Sequence, residues 1–152
     1  LNGFDGTLLE STYLDKETYG FVGEVTNVNT ALLDALTATG IVPVIACIGA
    51  TKEGQALNIN GDTVASEIAL AVKAESLLLV TDVAGIRIND EYQKEVTEEQ
   101  INEWIDDEHI YGGMIPKVKG ALACLHAGIP SVQIVNEALE GTTILSEGLV
   151  KS

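Results

Sequence analysis

The sequence has few basic residues and few aromatic ones. Eight Lys and Arg residues stand against 23 Asp and Glu, so the formal net charge is −15, and aromatic residues make up only 5%. Nucleic acids and anionic membrane surfaces are bound through clusters of positive charge, so we expect neither as a partner. An anionic substrate would need a locally basic site, which makes Lys117 and Lys119 more informative than lysines usually are.

Cysteine is also scarce, and its placement does not suit a metal site. Cys47 lies in an apolar run and Cys124 in a predicted helix, far apart in the sequence. Because zinc sites are built from closely spaced Cys and His ligands, no metal ion held by protein side chains is predicted. Two unpaired thiols agree with a reducing cytoplasm.

Long hydrophobic runs are missing. No apolar run reaches the roughly 18 residues that a membrane helix needs, and the first residues lack the basic head and apolar middle of a signal peptide. We therefore expect a cytoplasmic protein without a membrane partner. The 152 residues, 46% of them hydrophobic, suffice for a domain with a substantial core.

Apolar runs alternate with helical patterns along most of the chain. Such alternation predicts an α/β fold, with an open, mainly parallel sheet between layers of helices in a three-layer sandwich. Ligands of these sheets bind beyond the carboxyl ends of the strands. The predicted elements are hairpins within 3–25, strands at 41–48, 76–81 and 131–135, an antiparallel edge strand at 141–145, and helices at 30–38, 60–73, from 97 onward and at 115–127.

Two of these expectations concern burial. The runs 41–48 and 76–81 are continuously apolar, which is typical of strands covered on both faces of a sheet. In the helix that begins after Asn60, apolar residues recur at intervals of four, and we expect Val64, Ile68 and Val72 to face the core.

Three polar residues stand on alternate positions where a predicted strand passes into this helix: Asn58, Asn60 and Asp62. Capping explains one of them, because Asn and Asp side chains accept hydrogen bonds from the free N–H groups at a helix start. Three exceed what capping requires. The cluster is therefore a candidate site as well as a candidate cap, and both interpretations stay open.

A second candidate follows a pair of glycines. Gly112 and Gly113 precede a helix whose first turn contains Lys117. Glycine lets the backbone approach a ligand closely, and a helix start attracts anions. A lysine there could neutralise a phosphoryl group during its transfer, although a solvated surface lysine is the alternative. Asp82, after the strand at 76–81, is either a turn residue or a nucleotide contact.

Five segments resemble the amino acid kinase family, in the order in which that family has them. Within the family, the resemblance is greatest to members that phosphorylate N-acetyl-L-glutamate in arginine biosynthesis. Each segment alone is a weak signal, whereas five in order are a strong one. The segments are 19–25, 41–46, 58–65, 78–86 and 112–118.

The resemblance implies a reaction and a set of roles. ATP, with Mg²⁺ bridging its phosphates, would phosphorylate the side-chain carboxylate of N-acetyl-L-glutamate to give N-acetylglutamyl 5-phosphate. Lys117 would stabilise the transition state, and Asp62 would organise the catalytic lysines. Asn58 and Asn60 would bind the acetylglutamate, and the enzyme would form a homodimer. The residues implied to bind ATP are Asp82, Val83, Ala84, Gly85, Ile86, Arg87, His109, Ile110, Tyr111 and Met114.

The sequence departs from the family pattern at its start. The family begins with a strand that ends in a Lys-x-Gly-Gly loop, which supplies a second catalytic lysine, and a later arginine grips the substrate carboxylate. The sequence, which starts at Leu1, contains neither the Lys-x-Gly-Gly loop nor this arginine. We therefore expect the carboxyl-terminal portion of a kinase, inactive by itself. Residues 1–25 would be a remnant of the acceptor-binding lobe, and residues 26–152 the nucleotide-binding lobe.

Two alternatives stay open. One is another member of the family, a carbamate kinase or an aspartokinase, which would differ in its acceptor. The other is a nucleotide-binding or interaction module without catalytic activity, which the absence of the Lys-x-Gly-Gly loop favours. The retained set of site residues favours an enzyme.

Overall fold

A computed structural model of the chain describes residues 1–146, which fall into two compact units. Unit 1 comprises Leu1–Val72, and unit 2 begins at Lys73. Each unit contains a four-stranded sheet with helices packed against it, and the predicted α/β class is confirmed. Within residues 1–146, no helix is both long and apolar enough to cross a membrane. The predicted functional lobes, 1–25 and 26–152, stay a prediction.

Unit 1 is built around a sheet with the strand order β2-β1-β3-β4, in which β1 pairs with β3 in parallel and the other neighbours are antiparallel. A 3₁₀ turn at Asp5–Thr7 precedes the first strand. The elements are β1 (Leu9–Tyr13), α1 (Lys16–Tyr19), β2 (Gly23–Val28), α2 (Thr30–Ala38), β3 (Ile48–Ala50), β4 (Ala56–Asn58) and α3 (Gly61–Ala71).

Helix starts in unit 1 follow the capping residues. Asn29 caps α2 by accepting a hydrogen bond from the Leu32 N–H, so the helix predicted at 30–38 is confirmed. The hairpin expected within 3–25 is also present as β1 and β2. Its connection, however, is helical, because the Asp15 carboxylate accepts from the Glu17 and Thr18 N–H groups and caps α1. Tyr19 therefore ends a helix, which differs from the strand-and-turn structure expected within 3–25.

The core of unit 1 lies between its helices and its sheet. Its buried members include Leu9 from β1, Leu33 from α2, and Ile59 and Val64 at the start of α3. Val64 is 3% exposed as predicted, and Ile68 packs against the same cluster. Val72 is 39% exposed, contrary to the prediction, because it is the C-cap of α3 and lies at the end of the helix, away from the buried cluster around Val64.

The apolar run at 41–48 is not the buried strand that we predicted. The structure assigns a strand only from Ile48, and the side chains of Val42 and Val44 are 83% and 80% exposed. The segment bonds to the first residue of the chain, since the Leu1 ammonium group donates to the Val44 carbonyl and the Ala46 N–H donates to the Leu1 carbonyl. Burial depends on the elements that cover a strand, which an apolar run does not encode.

Unit 2 contains a sheet of order β5-β9-β10-β8 and a separate two-stranded hairpin, β6–β7. Strand β5 pairs with β9 in parallel, β9 with β10 antiparallel, and β10 with β8 in parallel. The elements are β5 (Ser76–Val80), β6 (Arg87–Ile88), β7 (Glu91–Tyr92), β8 (Glu95–Thr97), α4 (Glu98–Asp106), α5 (Met114–His126), β9 (Ser131–Val135) and β10 (Gly141–Leu145).

Two details of this sheet differ from the prediction. Strand β10 is antiparallel to β9 as expected, but it is not an edge, because β8 pairs with its other side. Strand β5 is buried on one face only, since Leu77 and Leu79 are 8% and 4% exposed while Val80 is 56% exposed. The continuous apolar run of β5 therefore does not signal two covered faces.

Helices α4 and α5 cover the sheet of unit 2. The helix predicted from 97 onward is confirmed and begins with a capping box: the Thr97 hydroxyl accepts from the Gln100 N–H, and the Gln100 side chain accepts from the Thr97 N–H. Helix α5 packs on β9 and β10, and α4 packs on β8. The buried residues at these contacts include Ile101, Val118, Leu122, Val132 and Ile144.

Two glycines of unit 2 provide a matched pair for a stability test. A Cβ atom at Gly141 would overlap the Ile134 carbonyl oxygen, whereas one at the exposed Gly120 in α5 would meet no atom within 4 Å. We expect Gly141→Ala to lower the free energy of unfolding by about 1–3 kcal/mol, and Gly120→Ala to raise it by about 0.5–1 kcal/mol. Urea unfolding followed by circular dichroism measures both. Wild-type stability of Gly141→Ala would contradict this packing of β10 on β9.

Candidate functional site

Unit 2 contains a cleft of about 530 Å³, which we call the unit 2 cleft. Its walls come from two parts of the chain: the segment from the end of β5 through the β6–β7 hairpin, and the segment that leads from α4 into α5. The residues that line it are Thr81, Asp82, Val83, Gly85, Ile86, Arg87, Tyr92, His109, Ile110, Tyr111, Gly113, Met114 and Lys117.

The first wall begins at the carboxyl end of β5. The parallel pairing with β9 continues to the last residue of each strand, and the Thr81 N–H then donates to the Val135 carbonyl at 2.8 Å. The chain leaves the sheet at Asp82, whose carboxylate accepts a hydrogen bond of 3.1 Å from the Thr81 hydroxyl. Asp82 is exposed at the carboxyl edge of a parallel strand pair, where ligands of α/β folds bind.

The β6–β7 hairpin extends this wall. Asn89 and Asp90 both have positive φ angles, 49° and 68°, as in a type I′ turn between two antiparallel strands. The turn brings Tyr92 back beside Arg87, whose guanidinium carbon lies 5.7 Å from the centre of the tyrosine ring. Arg87 also forms a 3.1 Å ion pair with Asp90. The hairpin thus places a cation and an aromatic ring together at the cleft.

The second wall follows the end of α4. The N–H groups of His109 and Ile110 both donate to the Trp104 carbonyl, at 2.8 and 2.9 Å, which closes the helix and turns the chain. Ile110 anchors this turn because it is 3% exposed, whereas Tyr111 is 75% exposed. Gly112 follows with a φ of 59°, a conformation that glycine adopts without strain.

The N-terminus of α5 completes the cleft. The helix has 13 residues from Met114 to His126, and Gly113, Met114 and the half-buried Lys117 line the cleft. Pro116 fits the first turn, where its missing N–H leaves no helical hydrogen bond unmade. The N-terminus of such a helix carries partial positive charge, which attracts anions. Together with Lys117 and Arg87, it brings positive charge to a cleft that the Asp82 carboxylate also lines.

The cleft therefore combines two kinds of surface. Ile110, Met114 and the exposed ring of Tyr111 offer apolar and aromatic contact, which suits a flat heterocyclic base. The start of α5 and the side chains of Lys117 and Arg87 offer positive charge, which suits phosphate oxygens. A nucleotide requires both surfaces within one pocket.

Most of the residues predicted to bind ATP come together in this cleft. All of them line it except Ala84, which lines a different groove beside β7, β8 and β10, and Lys117 lines the cleft as well. Of the other lining residues, Thr81 and Gly113 lie in the segments 78–86 and 112–118 that carry the family resemblance but were not assigned to ATP, and Tyr92 was missed altogether. Tyr92 could have been found from the Asn89-Asp90 pair, since such a pair favours a tight hairpin turn.

The Asn58, Asn60 and Asp62 cluster lies in unit 1. Asn58 ends β4, and all three residues are exposed around the start of α3. The Asn60 side chain accepts a 3.2 Å hydrogen bond from the Thr63 N–H, so its capping role is confirmed. The substrate-binding and catalytic roles of the cluster stay predictions. Within residues 1–146, no group of three or more His, Cys, Asp and Glu side chains is placed to hold a metal ion.

Solved structures share this fold. A protein from Streptococcus mutans UA159, smu.665, superposes with a TM-score of 0.80 at 38% identity, over 91% of this chain and 56% of that one. An N-acetylglutamate synthase from Neisseria gonorrhoeae gives a TM-score of 0.83 at 21% identity, over 99% of this chain and 38% of that one. A carbamate kinase from Giardia lamblia gives a TM-score of 0.66 at 18% identity, over 91% of this chain and 59% of that one. The last two show the fold alone.

Similar sequences come from bacterial acetylglutamate kinases. The enzyme of Bacillus pumilus is 42% identical over 155 aligned residues, which cover 97% of this chain and 60% of that protein. The enzyme of Bacillus subtilis is 45% identical over 136 aligned residues, which cover 90% of this chain and 53% of that protein. The chain thus spans about 60% of the length of the first of these relatives.

The sequence pattern of the amino acid kinase family matches residues 2–136, which cover nearly all of unit 1, unit 2 up to Asn136, and every residue of the unit 2 cleft. Together with the α/β fold and the relatives above, this match shows that the chain belongs to the amino acid kinase family.

Proposed function

We propose that the chain is the nucleotide-binding portion of an acetylglutamate kinase, an enzyme that transfers the γ-phosphoryl group of Mg²⁺-ATP to the side-chain carboxylate of N-acetyl-L-glutamate. The product is N-acetylglutamyl 5-phosphate. The complete protein works in the cytoplasm as a homodimer, and the 152-residue chain by itself is inactive. Residues 26–152 form the nucleotide-binding lobe, which also carries the acceptor contacts Asn58 and Asn60, and residues 1–25 are a remnant of the acceptor-binding lobe.

The observation that carries the proposal is the unit 2 cleft. Two segments that the family resemblance assigns to ATP, 82–87 and 109–111, meet there at the N-terminus of α5, where Met114 is assigned to ATP as well. Further support comes from relatives that bear the name acetylglutamate kinase at 38–45% identity. The carbamate kinase structures from Giardia lamblia give no such support, because they are 18–20% identical to this chain and share only its fold.

The proposed chemistry needs charge more than it needs a base. A carboxylate is already a nucleophile at neutral pH, so no residue has to remove a proton from it. The obstacle is repulsion between the acceptor carboxylate and the phosphate oxygens. Positioning and positive charge lower this barrier, and we assign the charge to Lys117 and to the Mg²⁺ ion that accompanies the nucleotide.

The remaining assignments concern unit 1. We assign Asp62 to orienting lysine ammonium groups, and Asn58 and Asn60 to holding acetylglutamate. The capping bond of Asn60 uses its side-chain oxygen and leaves its NH₂ group available as a donor. Each assignment rests on the family resemblance and on the exposure of these side chains at the start of α3.

Mg²⁺-ADP binding to the 152-residue chain tests the nucleotide assignment. We expect saturable binding by calorimetry, with Asp82→Ala raising the Kd about tenfold or more, as for the loss of a hydrogen bond to a charged group. Asp106→Ala is the control, because it removes the same charge from an exposed position outside the cleft lining. A folded chain that does not bind Mg²⁺-ADP would contradict the assignment.

Lys117 is tested in the full-length enzyme that we propose. Lys117→Ala should lower kcat roughly a hundredfold or more, since a charge that acts on the transition state is lost. Lys119→Ala is the matched control, because Lys119 lies two residues further along α5, is exposed and does not line the cleft. A kcat for Lys117→Ala within twofold of wild type would rule out the catalytic role.

Asp62→Asn should lower kcat more than it weakens nucleotide affinity, because the proposed role concerns lysine orientation. The change keeps the shape of the side chain and removes its charge. Asp34→Asn, at an exposed position in α2, is the control for charge loss in unit 1. An effect on nucleotide affinity alone would contradict the role.

An acceptor panel on the full-length protein identifies the acceptor. Phosphorylation of N-acetyl-L-glutamate, with no turnover of carbamate or aspartate, is the expected result. Turnover of carbamate or aspartate instead would favour another member of the family. Nucleotide binding without turnover of any acceptor would favour a module without catalytic activity.

A further inference from the structure

One buried hydroxyl holds the base of the β6–β7 hairpin. Thr142 in β10 is fully buried. Its Oγ1 accepts a 2.8 Å hydrogen bond from the Ile86 N–H and donates a 2.6 Å hydrogen bond to the Gln93 carbonyl. Ile86 and Gln93 flank the hairpin at its two ends, and the Gln93 N–H donates to the Ile86 carbonyl at 2.9 Å. The hydroxyl therefore uses its donor and its acceptor to join the two ends.

The loop before the hairpin packs directly on the same residue. Gly85 is buried and has a φ of 91°. A Cβ atom at this position would overlap Thr142 Oγ1 and lie 2.6 Å from the Thr142 backbone nitrogen. Only glycine, which has no Cβ atom, lets the loop backbone come this close to Thr142. The loop therefore packs directly against the backbone of β10.

Thr142 is thus connected to the unit 2 cleft without lining it. Gly85, Ile86, Arg87 and Tyr92 all line the cleft, and all lie between or next to the backbone groups that the Thr142 hydroxyl holds. The hairpin itself is two residues long on each side, with a short turn. We expect the position of such a small hairpin to depend on the hydrogen bonds at its two ends.

We propose that Thr142 is a positioning residue for the nucleotide site: its hydroxyl fixes the Gly85–Ile86 loop and the β6–β7 hairpin, and so places Arg87 and Tyr92 for nucleotide binding. The inference rests on the proposed nucleotide-binding function of the cleft. Removal of the hydroxyl leaves the Ile86 N–H and the Gln93 carbonyl without this partner in a buried place. The two groups then separate or recruit water, and the hairpin shifts.

The test compares two substitutions at Thr142 with one at its neighbour. Thr142→Val removes the hydroxyl and keeps the branched shape, whereas Thr142→Ser keeps the hydroxyl and removes a methyl group. Thr143→Val is the control, because it also replaces a threonine hydroxyl by a methyl group. Thr143 is the next residue in β10, so its side chain points to the other face of the sheet, and its N–H donates to the Lys94 carbonyl. Calorimetry gives the Kd for Mg²⁺-ADP of each folded 152-residue variant.

We expect Thr142→Val to raise the Kd for Mg²⁺-ADP roughly tenfold, and Thr142→Ser and Thr143→Val to stay within about threefold of wild type. A folded Thr142→Val variant with the wild-type Kd would overturn the inference and leave the nucleotide assignment intact. Loss of affinity in Thr142→Ser equal to that in Thr142→Val would also overturn it, since the hydroxyl would not be the cause. Failure of the wild-type chain to bind overturns both proposals.

Amide hydrogen exchange on the wild-type chain covers the case in which Thr142→Val does not fold. Saturating Mg²⁺-ADP should slow the exchange of the Ile86 and Gln93 amides, because a bound nucleotide stabilises the hairpin whose base they form. Unchanged exchange at both amides, under conditions where calorimetry shows saturation, would overturn the inference.

Discussion

The unit 2 cleft depends on the parallel pairing of β5 with β9. This pairing runs from Ser76 opposite Ser131 to Val80 opposite Val135, and it ends with the Thr81 N–H bonded to the Val135 carbonyl. It therefore decides where the chain leaves the sheet at Asp82. Helix α5 leads into β9 and packs on it, so the same pairing sets the place of the helix N-terminus that closes the cleft. A change of register by one residue would reverse the faces of β5 and move both walls.

Charge explains why this place can hold an anionic ligand. The protein carries 23 acidic and eight basic residues, so its average surface repels phosphate. Lys117, Arg87 and the positive end of α5 bring positive charge to one cleft, beside the carboxylate of Asp82 and the Asp90 partner of Arg87. The apolar anchor Ile110 holds the segment between α4 and α5 so that the exposed Tyr111 and the helix start remain beside each other. The acidic composition and the nucleotide proposal are therefore compatible.

The helix starts could be predicted from their capping residues, whereas the burial of side chains and the pairing of strands could not be predicted. Asn29, Asn60 and Thr97 each carry an oxygen that accepts from an N–H group in the first helical turn, so the sequence marks these starts directly. Exposure of Val42 and Val80 was not predictable, because it depends on which elements lie beside them. The inner position of β10 likewise depends on β8, a short strand in a segment that reads as polar. For the cleft, the family resemblance assigned both walls to one ligand, which the spacing of the residues in the sequence does not do. The β6–β7 hairpin, and with it Tyr92, was missed.

Mapping Mg²⁺-ADP onto the ¹⁵N-labelled 152-residue chain by NMR tests the central claim most directly. If the unit 2 cleft is the nucleotide site, saturable shifts will concentrate in the amides of residues 81–87, 92, 109–115 and 117, which line or adjoin it. Saturable binding whose shifts lie elsewhere, such as in the groove around Lys94 and Glu140, would contradict the account. A folded chain whose spectrum does not change at millimolar Mg²⁺-ADP would contradict it as well.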